Sequence, residues 1–455
     1  MGKHNVNVAV MPFVDMANAS NEDQKRSKPP IPFIDADWRR GLLHEIKRIG
    51  RVEVVRWSPD DRWICVGGQD GKAAVYSTET WGLPVQELNR GGEVLSVTWS
   101  PCGSFLCVGG QDGIAAVYST KSWGSPVQEL VRGVAVQSVS WSPDGRWICV
   151  GGTDCRAAVY SVETWGPHVQ ELKRAGSVAS LAWSPDSSRL CVGCWHGEAA
   201  VYDTEVWGQP VQVLSRAGAV TNVSWNPAGH WLCIGDTNNK AAVYSTESWG
   251  PAVQELGHGG DVKSVSWSPN GQWLCVGGDD HKVEMYLRGA WSSPVQELVR
   301  EFGVTSVNWS PDGRYVCVGD QDGNAAVYST DSWGNPKEIE RGEGEWVNSV
   351  CWSPDGRMLC VGSDDNKVAV YMADSWEAPV HELLQQGVVR CVCWSPDGRW
   401  LCVGGCSGKA AIYSTKGWRN PVHELERGER ITSMSWSPDG QWICIGGSDK
   451  KAAVY

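Results

Sequence analysis

The chain has 455 residues, with 40 lysines and arginines against 52 aspartates and glutamates, for a formal net charge of −12. It contains no basic run, which excludes a phosphate-backbone footprint and so argues against nucleic acid as a partner. No stretch approaches the roughly 18 apolar residues that cross a membrane. Residues 1–34 lack the sustained apolar core of a secretory leader, and Val6 stands where N-myristoylation expects Ser or Thr.

In chain order, residues 1–34 read as a flexible extension. VNVAVMPFV alternates like a strand, but SNEDQKRSKPPIP after it is polar and proline-rich. The sharper alternative is a peptide that docks on the rest of the chain or on a partner. Residues 35–50, DADWRRGLLHEIKRIG, align with TETWGLPVQELNRGG around Trp81. They carry the closing part of a unit, Leu42 to Lys47, without the parts that should precede it.

That unit then repeats to the end. Trp57, Trp99, Trp141, Trp183, Trp225, Trp267, Trp309, Trp352, Trp394 and Trp436 are spaced by 42 residues, except for one step of 43. Val139 to Thr164 shows the internal grammar. VSWS alternates as a strand, and PDGR turns, with Pro presetting φ and Gly accepting a positive one. WICVGG is a second strand, and TDCR (QDGK in the first copy) is a hairpin turn. AAVYS is a third strand, and a WGxP loop leads to the fourth, VQEL. Four short strands per unit make a propeller blade.

The last unit stops at Tyr455, after a third strand with no fourth, while Leu42 to Lys47 is a fourth strand with no first three. Each end supplies what the other lacks, so an all-β propeller of ten four-stranded blades is expected over residues 35–455. Its N-terminal strand would complete the last blade and remove the open sheet edges. Two smaller propellers are the alternative, but they would need a joint in mid-chain and a second closure.

With period, turns and strands in place, the chain resembles the WD40-repeat family, whose pattern runs GH, VxSVxFSPDG, LASGS, DG and a strand ending in WD. The resemblance implies a hydrogen-bonded set of His, Asp, Ser or Thr, and Trp in each blade. This chain changes three of the four. Tyr replaces Trp in every copy, as at Tyr76; Val usually replaces the strand Ser, as at Val66; and Arg mostly replaces His.

The ten copies test one another. Arg and Asp occur together in six, among them Arg90 with Asp112, Arg132 with Asp154, Arg300 with Asp322 and Arg427 with Asp449. The sixth copy keeps the family pair as His258 with Asp280, and the ninth has lost both, with Gln385 and Ser407. Joint retention and joint loss imply a structural lock, an ion pair tying the loop before the first strand to the turn before the third. The fourth and fifth copies are exceptions, with Arg174 facing His196 and Arg216 facing Asn238.

Ten of the 17 cysteines occupy one position of the second strand, from Cys65 to Cys444, where a small core residue belongs. Equivalent positions in neighbouring blades lie about 10 Å apart, too far for disulfides. Reduced cysteines and a cytosolic or nuclear location are expected. Of 28 tryptophans, 26 follow the repeat and read as packing between blades. The two strays, Trp195 in a hairpin turn and Trp346 in the inserted loop, are candidate partner-binding anchors. Glu343, Glu345 and Asp364 give the Trp346 region an acidic character suited to a basic partner.

Function therefore reads as a non-catalytic scaffold that binds protein partners through the propeller rim. The repeats also resemble the highly similar WD repeats of fungal heterokaryon-incompatibility proteins and related signalling receptors, where they sense ligands or partners. The alternative is lectin-like glycan binding at Trp and Arg between blades. No Gly-x-Ser-x-Gly, phosphate loop or ligand-spaced histidine set calls for catalysis, a cofactor or a metal.

Overall fold

A computed structural model describes residues 44–47, 52–80, 83–131, 134, 136–152, 154–173, 176–299, 304–320, 324–333, 336–339, 347–449 and 451–455. The expected extension at residues 1–34 and the start of the orphan strand, Leu42 and Leu43, lie outside these described residues.

Within the described residues the strands form ten antiparallel four-stranded sheets. Blade 1 shows the plan: Val52–Trp57, Trp63–Gly68, Lys72–Ser77 and Gln86–Asn89, paired in sequence order. The tight turn after the first strand is closed by its own sequence. Ser58 Oγ donates to Asp60 Oδ1 at 2.6 Å and accepts the Trp63 N–H at 3.0 Å. In the third blade Gly145 supplies the positive φ of 72° that this turn needs. Each first strand carries a bulge near its start, as between Val136 and Ser138, which kinks the strand at the rim.

Blade 10 is completed as expected. His44–Lys47 pairs with Lys451–Val454, His44 opposite Val454 and Lys47 opposite Lys451. Ile46 is buried in a cluster with Val52 and Trp57 of blade 1 and Cys444 and Val454 of blade 10. Trp57 Nε1 donates across this seam to Ser435 O at 3.1 Å. The same bond staples other seams: Trp99 to Arg56 O, Trp225 to Ala182 O and Trp394 to Cys351 O.

Hydrophobic clusters fill every seam around the circle, including the one between blades 5 and 6. The ring is therefore single. Cys65, Ala73, Val75 and Leu88 of blade 1 meet Val94, Trp99, Leu106 and Val108 of blade 2. Gly67 allows this approach, because a Cβ there would stand 2.8 Å from Val94 Cγ1. The loop tryptophan completes the seam edge to face: Trp123 lies 5.2 Å from Trp63 and 6.3 Å from Trp99 between ring centroids.

The outermost strands remain as edges. In six blades a glutamine blunts them by donating to the next backbone carbonyl, as Gln86 Nε2 does to Glu87 O at 3.1 Å.

Candidate functional site

The rim is built from the loop that enters each first strand and the hairpin turn that enters each third strand. Antiparallel pairing brings both to one end of the blade, since the first residue of one strand faces the last of the next, as Val178 faces Cys194. The turn aspartate works in two directions. Asp112 Oδ1 accepts the Ile114 N–H at 3.2 Å and closes the turn, while Oδ2 accepts the Gly91 N–H at 3.2 Å from the entering loop.

Arg90 adds a charge to this junction. Its Nη2 lies 2.8 Å from Asp112 Oδ2 and donates to Ile114 O at 2.7 Å, with the side chains only 4% and 14% exposed. Arg427 and Asp449 repeat the pair at 3.0 Å. His258 Nδ1 approaches Asp280 Oδ1 at 2.8 Å, but without hydrogen-bond alignment. Asp154 sits half-buried in its turn. Arg132, Arg300 and Asp322 lie outside the described residues, as does Arg174.

The fifth blade corrects the expectation that Arg216 faces Asn238 as a broken pair. Arg216 Nη2 lies 2.9 Å from Asp236 Oδ2, and Nη1 lies 3.1 Å from Glu255 Oε1. Asp236 occupies a position that is glycine in most copies, two residues before Asn238. That glycine-to-aspartate change was the available signal.

The junction has a third member, the tyrosine that stands where the family pattern has its hydrogen-bonded Trp. The tyrosine phenol of the third strand ends the same network. Tyr118 hydrogen-bonds Arg90 and Tyr244 hydrogen-bonds Arg216. Where arginine is absent the phenol finds another partner. Gln385 Nε2 donates to Tyr413 Oη at 2.9 Å, and Tyr286 Oη donates to Glu284 Oε2 at 2.6 Å. Glu284 replaces an alanine found in every other copy. Burial holds its carboxyl above the usual range, against the Tyr286 hydrogen bond and the nearby His258.

Of the candidate partner-binding residues, Trp195 and Asp364 are described. Trp195 follows the second strand of blade 4, donates its backbone N–H to Ser177 O at 3.1 Å and leaves its side chain 61% exposed. Asp364 lies in the corresponding turn of blade 8, four blades further round the ring. It accepts from Asn348 Nδ2 at 2.6 Å, and Asn348 Oδ1 accepts from Arg390 Nη1 at 2.7 Å, so Asp364 ends a polar chain that crosses to blade 9. Trp346, Glu343 and Glu345 lie outside the described residues.

The repeated second-strand cysteines are buried, and desolvation pushes the thiols of Cys107, Cys233 and Cys444 up to about 12. None of the 17 cysteines is in a disulfide. Among the described residues no group of three or more His, Cys, Asp or Glu side chains is arranged to hold a metal ion. Nor is any helix there long and apolar enough to cross a membrane.

A closed circle of four-stranded antiparallel blades, with seven of the ten seams stapled by the indole N–H of the first-strand tryptophan, defines a β-propeller. A family model described as the IFT122 first beta-propeller matches residues 51–329. A second, described as WD domain, G-beta repeat, matches residues 335–371, 378–414 and 419–455. The chain belongs to the WD40-repeat β-propeller family. No curated protein matches it.

Proposed function

We propose that the protein is a non-catalytic interaction platform that captures protein partners on the rim formed by the entering loops and third-strand hairpin turns. WD40 propellers generally serve as protein-interaction scaffolds. The carrying observation is where the near-identical copies differ. The residue after each second strand is Gln69, Gln111, Trp195, Thr237, Asp279, Asp364, Cys406 or Ser448 in eight of them. The second residue of the first strand is as varied, with Thr221, Lys263, Asn348 and Arg390 among its occupants. Both positions fall at the same end of every blade, while the third strand within the blades changes less, AAVY recurring unaltered in seven of the ten copies and the second-strand cysteine in all ten. Variation on an invariant scaffold is how a rim acquires specificity.

A glycan-binding reading is less well supported. The repeat tryptophans spend their ring faces and edges on one another inside the seams, as in the pairs Trp147–Trp207 and Trp225–Trp249. Buried thiols pushed toward 12 are poor nucleophiles, which also favours a binding role. Seventeen cysteines without a disulfide support placing the protein in a reducing compartment, the cytosol or the nucleus.

The test compares proteins retained by the intact chain with those retained by Trp195→Ala and by Trp195→Ala/Trp346→Ala. Loss of a specific partner at unchanged melting temperature supports the rim. Identical retention by all three overturns it.

A further inference from the structure

In sequence, blade 9 is the copy that carries neither a basic residue nor an aspartate at this junction. In blade 5, Arg216 reaches Asp236, the Tyr244 phenol and Glu255 together. Lys240 joins the same Glu255 carboxylate at 2.8 Å. In blade 9 the arginine is Gln385 and the turn aspartate is Ser407. The turn itself survives, because Ser407 Oγ accepts the Lys409 N–H at 3.2 Å.

The shorter Gln385 satisfies Tyr413 and stops there. Glu424 holds the place of Glu255, since it faces Ala411 as Glu255 faces Ala242. Lys409, the counterpart of Lys240, has turned away to Glu426 at 3.0 Å. Glu424 is thus left with no cation and no hydrogen-bond partner among the described residues.

The space given up by the arginine is open. A notch of about 60 Å³ lies between Leu384, Gln385, Lys409, Tyr413, Pro421 and Glu424. Its wall is partly apolar, with Leu384 73% exposed at the mouth. The notch therefore combines an unpaired carboxylate, an amide and a phenol with apolar surface for a methylene stem.

We propose that this notch is a receptor site for a basic side chain, arginine in preference to lysine, presented by a partner polypeptide. The incoming guanidinium replaces the one the chain supplies to itself in other blades. Its planar fork serves the Glu424 carboxylate through two parallel bonds, which a single ammonium cannot do. The proposal deepens the partner-binding reading above and adds the chemistry of one contact.

The test uses the full chain and the peptide acetyl-Gly-Arg-Gly-amide, titrated calorimetrically, with its citrulline analogue as the uncharged isostere. Saturable binding of the arginine peptide, at least about tenfold tighter than citrulline, is expected. Glu424→Gln should remove that preference. Glu382→Gln, which alters an exposed carboxylate already bound by Lys367 at 3.2 Å, should leave it intact. The Gln385→Arg/Ser407→Asp variant rebuilds the chain's own pair, so it should keep or raise the melting temperature and lose the peptide.

Three results overturn the proposal: no saturable binding, undiminished binding by the rebuilt variant, or equal losses in Glu424→Gln and Glu382→Gln. Trp195→Ala should not change the peptide affinity. Failure of the notch and failure of the wider rim reading are therefore separate outcomes.

Discussion

Arg216 passes over the turn residue Asn238 and pairs with Asp236, at the end of the second strand, with 3% and 0% of the two side chains exposed. A buried pair of this kind contributes little over an apolar substitute, but removing one partner strands the other charge. Asp236→Ala should therefore cost about 3–5 kcal/mol, although Glu255 spares part of it. Asn238→Ala, on the exposed turn, should change stability by less than about 0.5 kcal/mol. Denaturant midpoints of the two variants check this, and equal effects would remove the pair from its place in the fold.

The blade was legible because period, turn glycines and strand alternation all report the same local geometry. Orphan halves at the two ends carried the closure for the same reason: Leu42 to Lys47 had nowhere else to pair. The junction chemistry was less legible. Sequence register assigned Arg216 to Asn238, but a guanidinium at the end of a long side chain selects whichever carboxylate is buried within reach, and that is Asp236. The tyrosines stand at the family's hydrogen-bonded Trp position, but the partner each phenol takes, Arg90 for Tyr118, Arg216 for Tyr244 and Gln385 for Tyr413, follows from geometry that spacing does not carry. The notch beside Glu424 depends on Lys409 choosing Glu426, a choice that spacing alone does not make.

Among the described residues, His44–Lys47 carries the closure. Ile46 is fully buried between the first and last blades. Ile46→Ala should cost about 2–4 kcal/mol through lost transfer energy and the cavity left behind. Ile46→Asp should go further, releasing His44–Lys47 and exposing the Lys451–Val454 edge to other chains. Size-exclusion chromatography should then show concentration-dependent association for Ile46→Asp and a monodisperse profile for Ile46→Ala. A monodisperse Ile46→Asp would mean that the strand is not what keeps the ring closed.

Thiol reactivity should separate the cysteines by burial. Cys102 is exposed in the first turn of blade 2. Burial alone would raise its thiol, but hydrogen bonds with Ser100 and Ser104 outweigh that and hold it below the ordinary value. Cys107, five residues on, is pushed up to about 12 by desolvation. Limiting iodoacetamide at neutral pH should therefore label Cys102 first and leave the second-strand row unlabelled until the fold is lost. Peptide mass spectrometry reads the order directly. Early labelling of Cys107 would contradict the seam packing around it.

The sixth blade should make stability depend on pH. Burial raises the Glu284 carboxyl, with Tyr286, His258, Glu297 and Asp280 as its charged and polar neighbours. A carboxyl whose folded value lies above its unfolded value, about 4.3, binds its proton more tightly in the folded state. Its contribution is fully present below the unfolded value and is lost as pH rises through the folded one. Glu284→Gln keeps an acceptor for the Tyr286 hydroxyl but cannot ionise. The melting temperature of the parent relative to Glu284→Gln should therefore fall as pH is raised from about 4 to about 8. Scanning both proteins side by side cancels every titration they share. A difference that stays flat, or that grows in the parent's favour, would mean that Glu284 is stabilised as the anion by His258 and that its burial is not the dominant effect.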